Sequence, residues 1–399
     1  WGTFSSVALG WNIANEDFFN SLDLFSVLKL RASYGLNGNQ AIGPYSTIAR
    51  MEENNFVDYS RTRPGYVPST LGMDNLGWES SKTLNIGLDY GLLAGRISGD
   101  LNYYNTNTYD LLLDRTISSV HGITEITQNI GETKNVGFEA SIVSRNIVKN
   151  DFSWTTFANF SINKNEIVSL YGELDEEGNE IDDITSGWFI GEPIRVNYSY
   201  VWDGIWQLGE ETEAAVYNKY PGGSKAVDQN EDGIIDPNDD RVIQGQRDPK
   251  IIWGMNNAFK YKDFTFSFFM HGISGITSTN ALESDNVFAE VKRNTTFKNW
   301  WRADNPTNDW IINDQYGGSS GGQNPPKYYK KDFVRIKDIT LSYDFSSLLK
   351  SIGFKRLQVY ATGRNLITIT KWPGLDPELD AQRALPLQKE YVFGIKLSF

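Results

Sequence analysis

Cysteine is missing from all 399 residues, so disulfides, iron–sulfur clusters and thiolate-bound zinc are excluded. Histidine is nearly missing. His121 and His271 stand alone in the sequence and leave no transition-metal site. No apolar run reaches the roughly 18 residues that a membrane-crossing helix needs. Positive charge is outnumbered: 37 Lys and Arg against 50 Asp and Glu give a net charge of −13, which argues against nucleic acid as a partner. No secretory leader is visible, and the chain opens at Trp1 inside a strand-like run, so its natural start is expected to lie elsewhere.

What is abundant is glycine, 36 residues, and aromatic residues, 14% of the chain, at a mean hydropathy of −0.42. The last ten residues show how the two are used. Tyr391, Phe393, Ile395, Leu397 and Phe399 alternate with Val392, Gly394, Lys396 and Ser398. Successive side chains of a strand point to opposite faces, so this is a strand with one apolar and one largely polar face. Similar runs lie near 4–11, 28–37, 83–92, 96–107, 136–146, 152–163, 252–261, 264–274, 333–344 and 356–366. A tilted strand of about ten residues crosses a bilayer, and a barrel of such strands escapes hydropathy plots because only half of each faces lipid. A soluble sandwich accounts less well for strands above the usual mode of about five or six residues. The expected fold is therefore all-β: a transmembrane antiparallel β-barrel.

The connections alternate between short and long. Short ones fall at 92–95, 147–151, 262–263 and 346–354; long ones at 38–82, 108–135, 164–251, 275–332 and 367–389. In outer-membrane barrels short turns are periplasmic and long loops extracellular. The connection 12–26 is longer than the other turns and is expected to hold a helical turn around 16–24. Eleven strands cannot close an antiparallel barrel by themselves. Residues 1–399 are read as the C-terminal part of a roughly 22-stranded barrel, about half of it, with long extracellular loops. The strand-like run Val196–Trp202 would break the parity if it spanned, so it is assigned to a hairpin inside loop 164–251.

The sharpest local motif lies in that loop. Calcium takes six to eight oxygens around a tight turn, which an EF-hand-type loop supplies from positions 1, 3, 5, 7, 9 and 12, with glycine at 6. Here these are Asp228, Asn230, Asp232, the Ile234 carbonyl, Asp236 and Asp239, with Gly233 at position 6. Position 12 carries Asp in place of the longer Glu. Ca2+ is the expected cofactor of this loop. The seven acids of 173–183 read as a solvated face. Trp188, Trp202, Trp206, Trp300, Trp301 and Trp310 are equally suited to sugar stacking, loop packing and a protein interface. Gly318-Ser319-Ser320-Gly321-Gly322 fits an esterase pattern that requires a downstream histidine, and both histidines lie upstream. No catalytic site is expected.

Several segments together resemble the SusC/RagA-like TonB-dependent transporters of the Gram-negative outer membrane. They are Lys29–Gly35, Leu76–Glu79, Gln128–Glu132, Asn135–Glu139, Asp228–Arg241, Arg335–Tyr343 and Gly363–Leu366, in that order. The resemblance implies a multi-pass barrel in the cell outer membrane, closed by the remainder of the barrel and a plug domain. It implies a SusD-like lipoprotein over the mouth, and TonB acting through an N-terminal TonB box. The plug and TonB box are not in this chain. The implied activity is nutrient import of a glycan or an oligopeptide. The alternative is a barrel serving as a structural subunit of a larger membrane protein complex. Phe399, a C-terminal aromatic residue, is expected from the resemblance to take part in membrane insertion.

Overall fold

The computed structural model describes residues 2–398 apart from 20–23, 41–44, 46, 74–75, 118–119, 121, 124, 282–296, 313–324, 347–354 and 380–384. Trp1, His121, Gly318–Gly322 and Phe399, all singled out above, lie outside the described residues. Eleven long strands make one sheet whose strand order is the chain order. They are β1 Ser6–Asn12, β2 Phe25–Asn39, β3 Glu79–Leu92, β4 Ile97–Tyr109, β5 Glu132–Val148 and β6 Phe152–Ser169. Then follow β7 Ile251–Tyr261, β8 Phe264–Ser274, β9 Phe333–Asp344, β10 Arg356–Thr370 and β11 Glu390–Ser398. All eleven expected strands are present. Of the helical turn expected around 16–24, residues 20–23 lie outside the described residues. A single 3-10 turn covers Ile13–Asn15, and a tight turn follows in which the Phe19 N–H donates to the Glu16 carbonyl.

The chain forms two compact units, residues 1–144 with 161–194, and residues 145–160 with 195–399. In the first, antiparallel register lines up Leu9, Ala32, Ile86, Tyr103 and Phe138 across β1 to β5. One residue along, the same strands line up Gly10, Arg31, Gly87, Asn102 and Glu139. On this polar face the Arg31 guanidinium grips Asp89 at 2.8 Å and reaches Asn102 at 3.0 Å. Asn102 in turn donates to Asp100, which also accepts from the Ser141 hydroxyl. Half-exposed as it is, the Arg31–Asp89 pair stabilises by roughly 0–1 kcal/mol, so the network orders the face more than it holds the fold.

The second unit repeats the arrangement. Phe259, Phe266, Leu341, Ala361 and Phe393 form one ladder across β7 to β11; Tyr261, Phe264, Tyr343, Val359 and Ile395 form the next on the same face. Phe264 and Tyr343 meet at 4.4 Å and Tyr343 and Phe345 at 4.5 Å, an aromatic cluster at the short-turn end where interfacial girdles form. The opposite face carries Ser267, Thr340, Thr362 and Val392, with Lys396 opposite Gln358. The apolar face is open: Phe393 is 80% and Leu341 51% exposed. In water that would be an adhesive patch, whereas in a bilayer lipid covers it. On the polar face two glycines let tyrosines lie flat across the neighbouring strand. A Cβ at Gly137 would sit 2.2 Å from the Tyr104 ring, and one at Gly394 would sit 2.3 Å from the Tyr360 ring.

The long connections carry their own small hairpins: Arg50–Asp58 with Arg61–Thr70, Leu112–Thr116 with Glu125–Asn129, Val196–Tyr200 with Arg241–Gln246, Trp202–Ile205 with Ser224–Ala226, and Thr277–Thr279 with Tyr328–Lys330. Residues 196–202 thus belong to loop hairpins, as the parity requires. The two faces of the sheet should respond oppositely to charge. Leu341→Arg is expected to destabilise the full-length protein in bilayers by about 2–4 kcal/mol, the cost of a cation on the lipid side. Thr340→Arg, one residue away, should be tolerated. Denaturant unfolding in lipid vesicles measures both, and equal effects would refute the assignment of faces.

Candidate functional site

Three sets of side chains on and between the long loops carry the chemistry. The first is the acidic loop 228–240. Asp228 Oδ2 accepts from the Gly233 N–H at 2.8 Å and from the Tyr217 hydroxyl at 3.2 Å. Its other oxygen, Oδ1, is buried and has no hydrogen-bond partner. Gly233 holds φ +83°, the left-handed conformation that the tight turn demands and glycine takes without a steric cost. Asn230 Oδ1 accepts from the Asp232 N–H, Asp232 Oδ1 from the Ile234 N–H, and Asp236 Oδ1 from the N–H groups of Asn238 and Asp239. Asp239 itself is exposed. The carboxylate that joins the ends of the loop belongs to the next residue, Asp240. It is fully buried and accepts from Gln229 N–H at 2.7 Å and Asp236 N–H at 2.8 Å. Spacing assigns position 12 of the motif to Asp239; the carboxylate that closes the loop by hydrogen bonds is that of the residue after it. Burial works against ionising Asp228, but the Gly233 N–H and the Tyr217 hydroxyl outweigh it and hold the carboxyl below its usual range. The turn hydrogen bonds keep the side chains apart: among the described residues no group of three or more acidic or histidine side chains converges on a point where a metal would sit.

The second set is aromatic. Trp206 and Trp301 are buried. Trp301 donates its indole N–H to Gln207, whose amide donates to the Ile205 carbonyl, while Asn308 accepts from the Ile205 N–H. Ammonium groups occupy ring faces: Lys298 lies 4.0 Å from the Trp310 ring, Lys327 4.2 Å from Trp202 and Lys225 4.5 Å from Trp206. Trp300 and Trp310 meet edge to face, and Trp188 pairs its backbone with Asp183. Of the roles the sequence left open, loop packing is the one these contacts show. The acids of 173–183 likewise do more than face solvent. Glu180 accepts from the Leu170 and Gly172 N–H groups, Asp182 from Ile190 N–H, and Asp183 from Ser186 N–H and the Tyr171 hydroxyl. Burial and that Asp183 carboxylate push the Tyr171 phenol up to about 12.

The third set was not foreseen. Arg335, only 2% exposed, pairs with Asp376 and with Glu378, and Lys337 also reaches Glu378 at 3.2 Å. Asp376 and Glu378 belong to connection 371–389, so a buried charge cluster fastens that connection to β9. Asp376 further accepts from the Glu378 and Leu387 N–H groups, and Lys331 donates to the Leu379 carbonyl. A bulge makes the cluster possible. Register on both sides of β9 skips Lys337, which turns Arg335 onto the face of His271 and Thr368. Burial raises the Asp376 carboxyl, but the Glu378 N–H, Arg335 and the Leu387 N–H together take it below its usual range. A depressed carboxyl contributes stability above the ordinary carboxylate range and loses it as pH falls through its folded value. Protection of the Glu378 and Leu387 amides, measured as exchange relative to the unstructured chain at the same pH, should therefore fall at low pH, and Asp376→Asn should remove that fall. Removing one partner of a buried pair costs about 3–5 kcal/mol. Arg335→Met should destabilise by that much in denaturant unfolding, and an unchanged midpoint would refute the anchor.

Comparison with known proteins follows the same pattern. Residues 1–366 match the family described as TonB dependent receptor-like, beta-barrel. TonB-dependent receptor P3 of Formosa agariphila is 33% identical over 389 residues, covering 94% of this chain and 38% of that protein. TonB-dependent receptor SusC of Bacteroides thetaiotaomicron is 31% identical over 433 residues, covering 100% of this chain and 40% of that protein. The solved structure of the RagAB peptide transporter superposes with a TM-score of 0.77 at 26% identity, over 99% of this chain and 43% of the transporter chain. The chain thus spans about two fifths of the length of these relatives.

Proposed function

This chain belongs to the TonB-dependent receptor-like β-barrel family, a SusC/RagA-type outer-membrane protein, and on that premise we propose that it forms barrel wall in an importer of glycans or oligopeptides. The observation that carries the reading is the eleven-strand meander itself, apolar on one face and polar on the other, with its large loops all at one end of the strands. Such a wall encloses a polar lumen and offers its loops to solvent. The remainder of the barrel and a plug complete it, TonB supplies the energy through a segment outside this chain, and a SusD-like surface lipoprotein covers the loops. No step of the reading is enzymatic.

The test is uptake by cells that express the full-length protein. Labelled oligopeptides or oligosaccharides should enter in a TonB-dependent manner, and co-purification should recover a surface lipoprotein. Uptake unaffected by loss of TonB would overturn the import reading. A full-length protein with no plug would favour a structural barrel.

Within that reading, loop 228–239 is proposed to bind Ca2+. Asp228 supports it most directly: one oxygen closes the turn on Gly233, and the other is a buried, charged acceptor with nothing to accept from. An ion there would draw on Asp228, Asn230, Asp232, the Ile234 carbonyl, Asp236 and Asp239, and would stiffen the loop. Tyr217, hydrogen-bonded to Asp228, is placed to sensitise a lanthanide substitute. Terbium should luminesce on excitation of the aromatic residues and be displaced by millimolar calcium, and Asp228→Asn should abolish the signal. Undiminished luminescence in that variant would rule this site out.

A further inference from the structure

Connection 371–389 is tied to the polar face of the wall by charges that balance, and a titratable ring stands among them. Arg335 and Lys337 come from β9, Asp376 and Glu378 from the connection: two cations against two carboxylates. Lys331, just ahead of β9, donates to the Leu379 carbonyl and brings a further cation to the same connection. His271 of β8 is the register partner of Arg335. Its ring lies nearly parallel to Phe269 at 6.0 Å and edge-on to Phe333 at 5.5 Å, and its side chain is 14% exposed. Nε2 stands 3.6 Å from Glu378, beyond hydrogen-bond reach, and Nδ1 is buried without a hydrogen-bond partner. Gly254, opposite His271 on β7, brings no charge. Glu378 is thus the carboxylate beside the ring, and it already serves Arg335 at 3.3 Å and Lys337 at 3.2 Å.

An unperturbed imidazole takes up a proton near pH 6.5, roughly. Inside this cluster the added charge has no free partner. Imidazolium carries N–H on both ring nitrogens, and Nδ1 has nothing to donate to. The new charge either faces Arg335 and Lys337 unshielded or draws Glu378 away from them. Both outcomes leave a buried cation short of a carboxylate, which is strongly destabilising. Opening the connection to water relieves that shortage. We propose that His271 is a proton switch that frees connection 371–389 from β9 in mildly acidic medium. Release uncovers Arg335 and Lys337 on the polar face of the wall. The switch acts above the pH at which Asp376 loses its own charge, because the Asp376 carboxyl is held below its usual range. It does not depend on what the barrel carries.

The experiment is hydrogen exchange of the full-length protein in lipid vesicles, read at the Glu378 and Leu387 amides between about pH 7.5 and 5.5 and referred to the unstructured chain at each pH. Protection should fall by about ten-fold at about pH 5.5, one unit below the ordinary imidazole value, since the opened state takes the proton and the closed state does not. His271→Phe keeps the ring packing against Phe269 and Phe333 and cannot be protonated; His271→Asn keeps polarity without the charge. Protection in both should stay level across this window, while the loss at lower pH that belongs to Asp376 persists. A level wild type, or an equal fall in the wild type and both variants, would overturn the switch. So would protection that rises on acidification, which would mean that imidazolium and Glu378 tighten the connection.

Discussion

The antiparallel ladder is the constraint on which everything else depends. Inside a bilayer no water is available for backbone N–H and C=O groups, so each must find its partner on the next strand. Once that pairing is fixed, register leaves no choice about faces. Leu341 stands beside Phe266 and Ala361, and Thr340 beside Ser267 and Thr362. A slip by one residue would exchange the two faces, placing threonine in lipid and leucine in the lumen. The cost of that exchange, summed over eleven strands, is what makes the register unique.

Where the ladder is interrupted, the interruption serves the polar side. The bulge at Lys337 turns Arg335 and Phe333 onto the face that carries His271. Arg335 is then buried, and a buried guanidinium is tolerable only with carboxylates around it. Asp376 and Glu378 supply them from a connection that would otherwise be free to leave the wall. A local irregularity in one strand thus fixes the path of a loop.

The loops follow a different rule. They have no two-faced sheet to sort them, so polar side chains satisfy loop backbone directly. Asp240, Glu180 and Asp183 each accept from backbone N–H groups, and Gln207 joins segments about a hundred residues apart. Tryptophans complete the packing, with lysine ammonium groups on the ring faces of Trp202, Trp206 and Trp310. Aromatic richness in the loops is therefore a packing device first.

What the sequence determined by itself was the wall. Strand alternation has a period of two and is a local property, so residues such as Tyr391, Phe393 and Ile395 declare their face without reference to any partner. Connection lengths are equally local, and they set which residues span and which, like 196–202, do not. The order of the acidic loop was legible too, down to Gly233 at its turn. Only the tertiary structure decided the rest, because the deciding contacts join residues far apart in the chain. Arg335 meets Asp376 across forty-one positions. Asp240, one residue beyond the position that spacing picks out, closes the loop by hydrogen bonds because it is the buried one of the two neighbours. The tryptophans' roles depended on which lysines came to lie over their rings. Composition could name the participants in each case, but burial and proximity, which no one-dimensional pattern encodes, chose the partners.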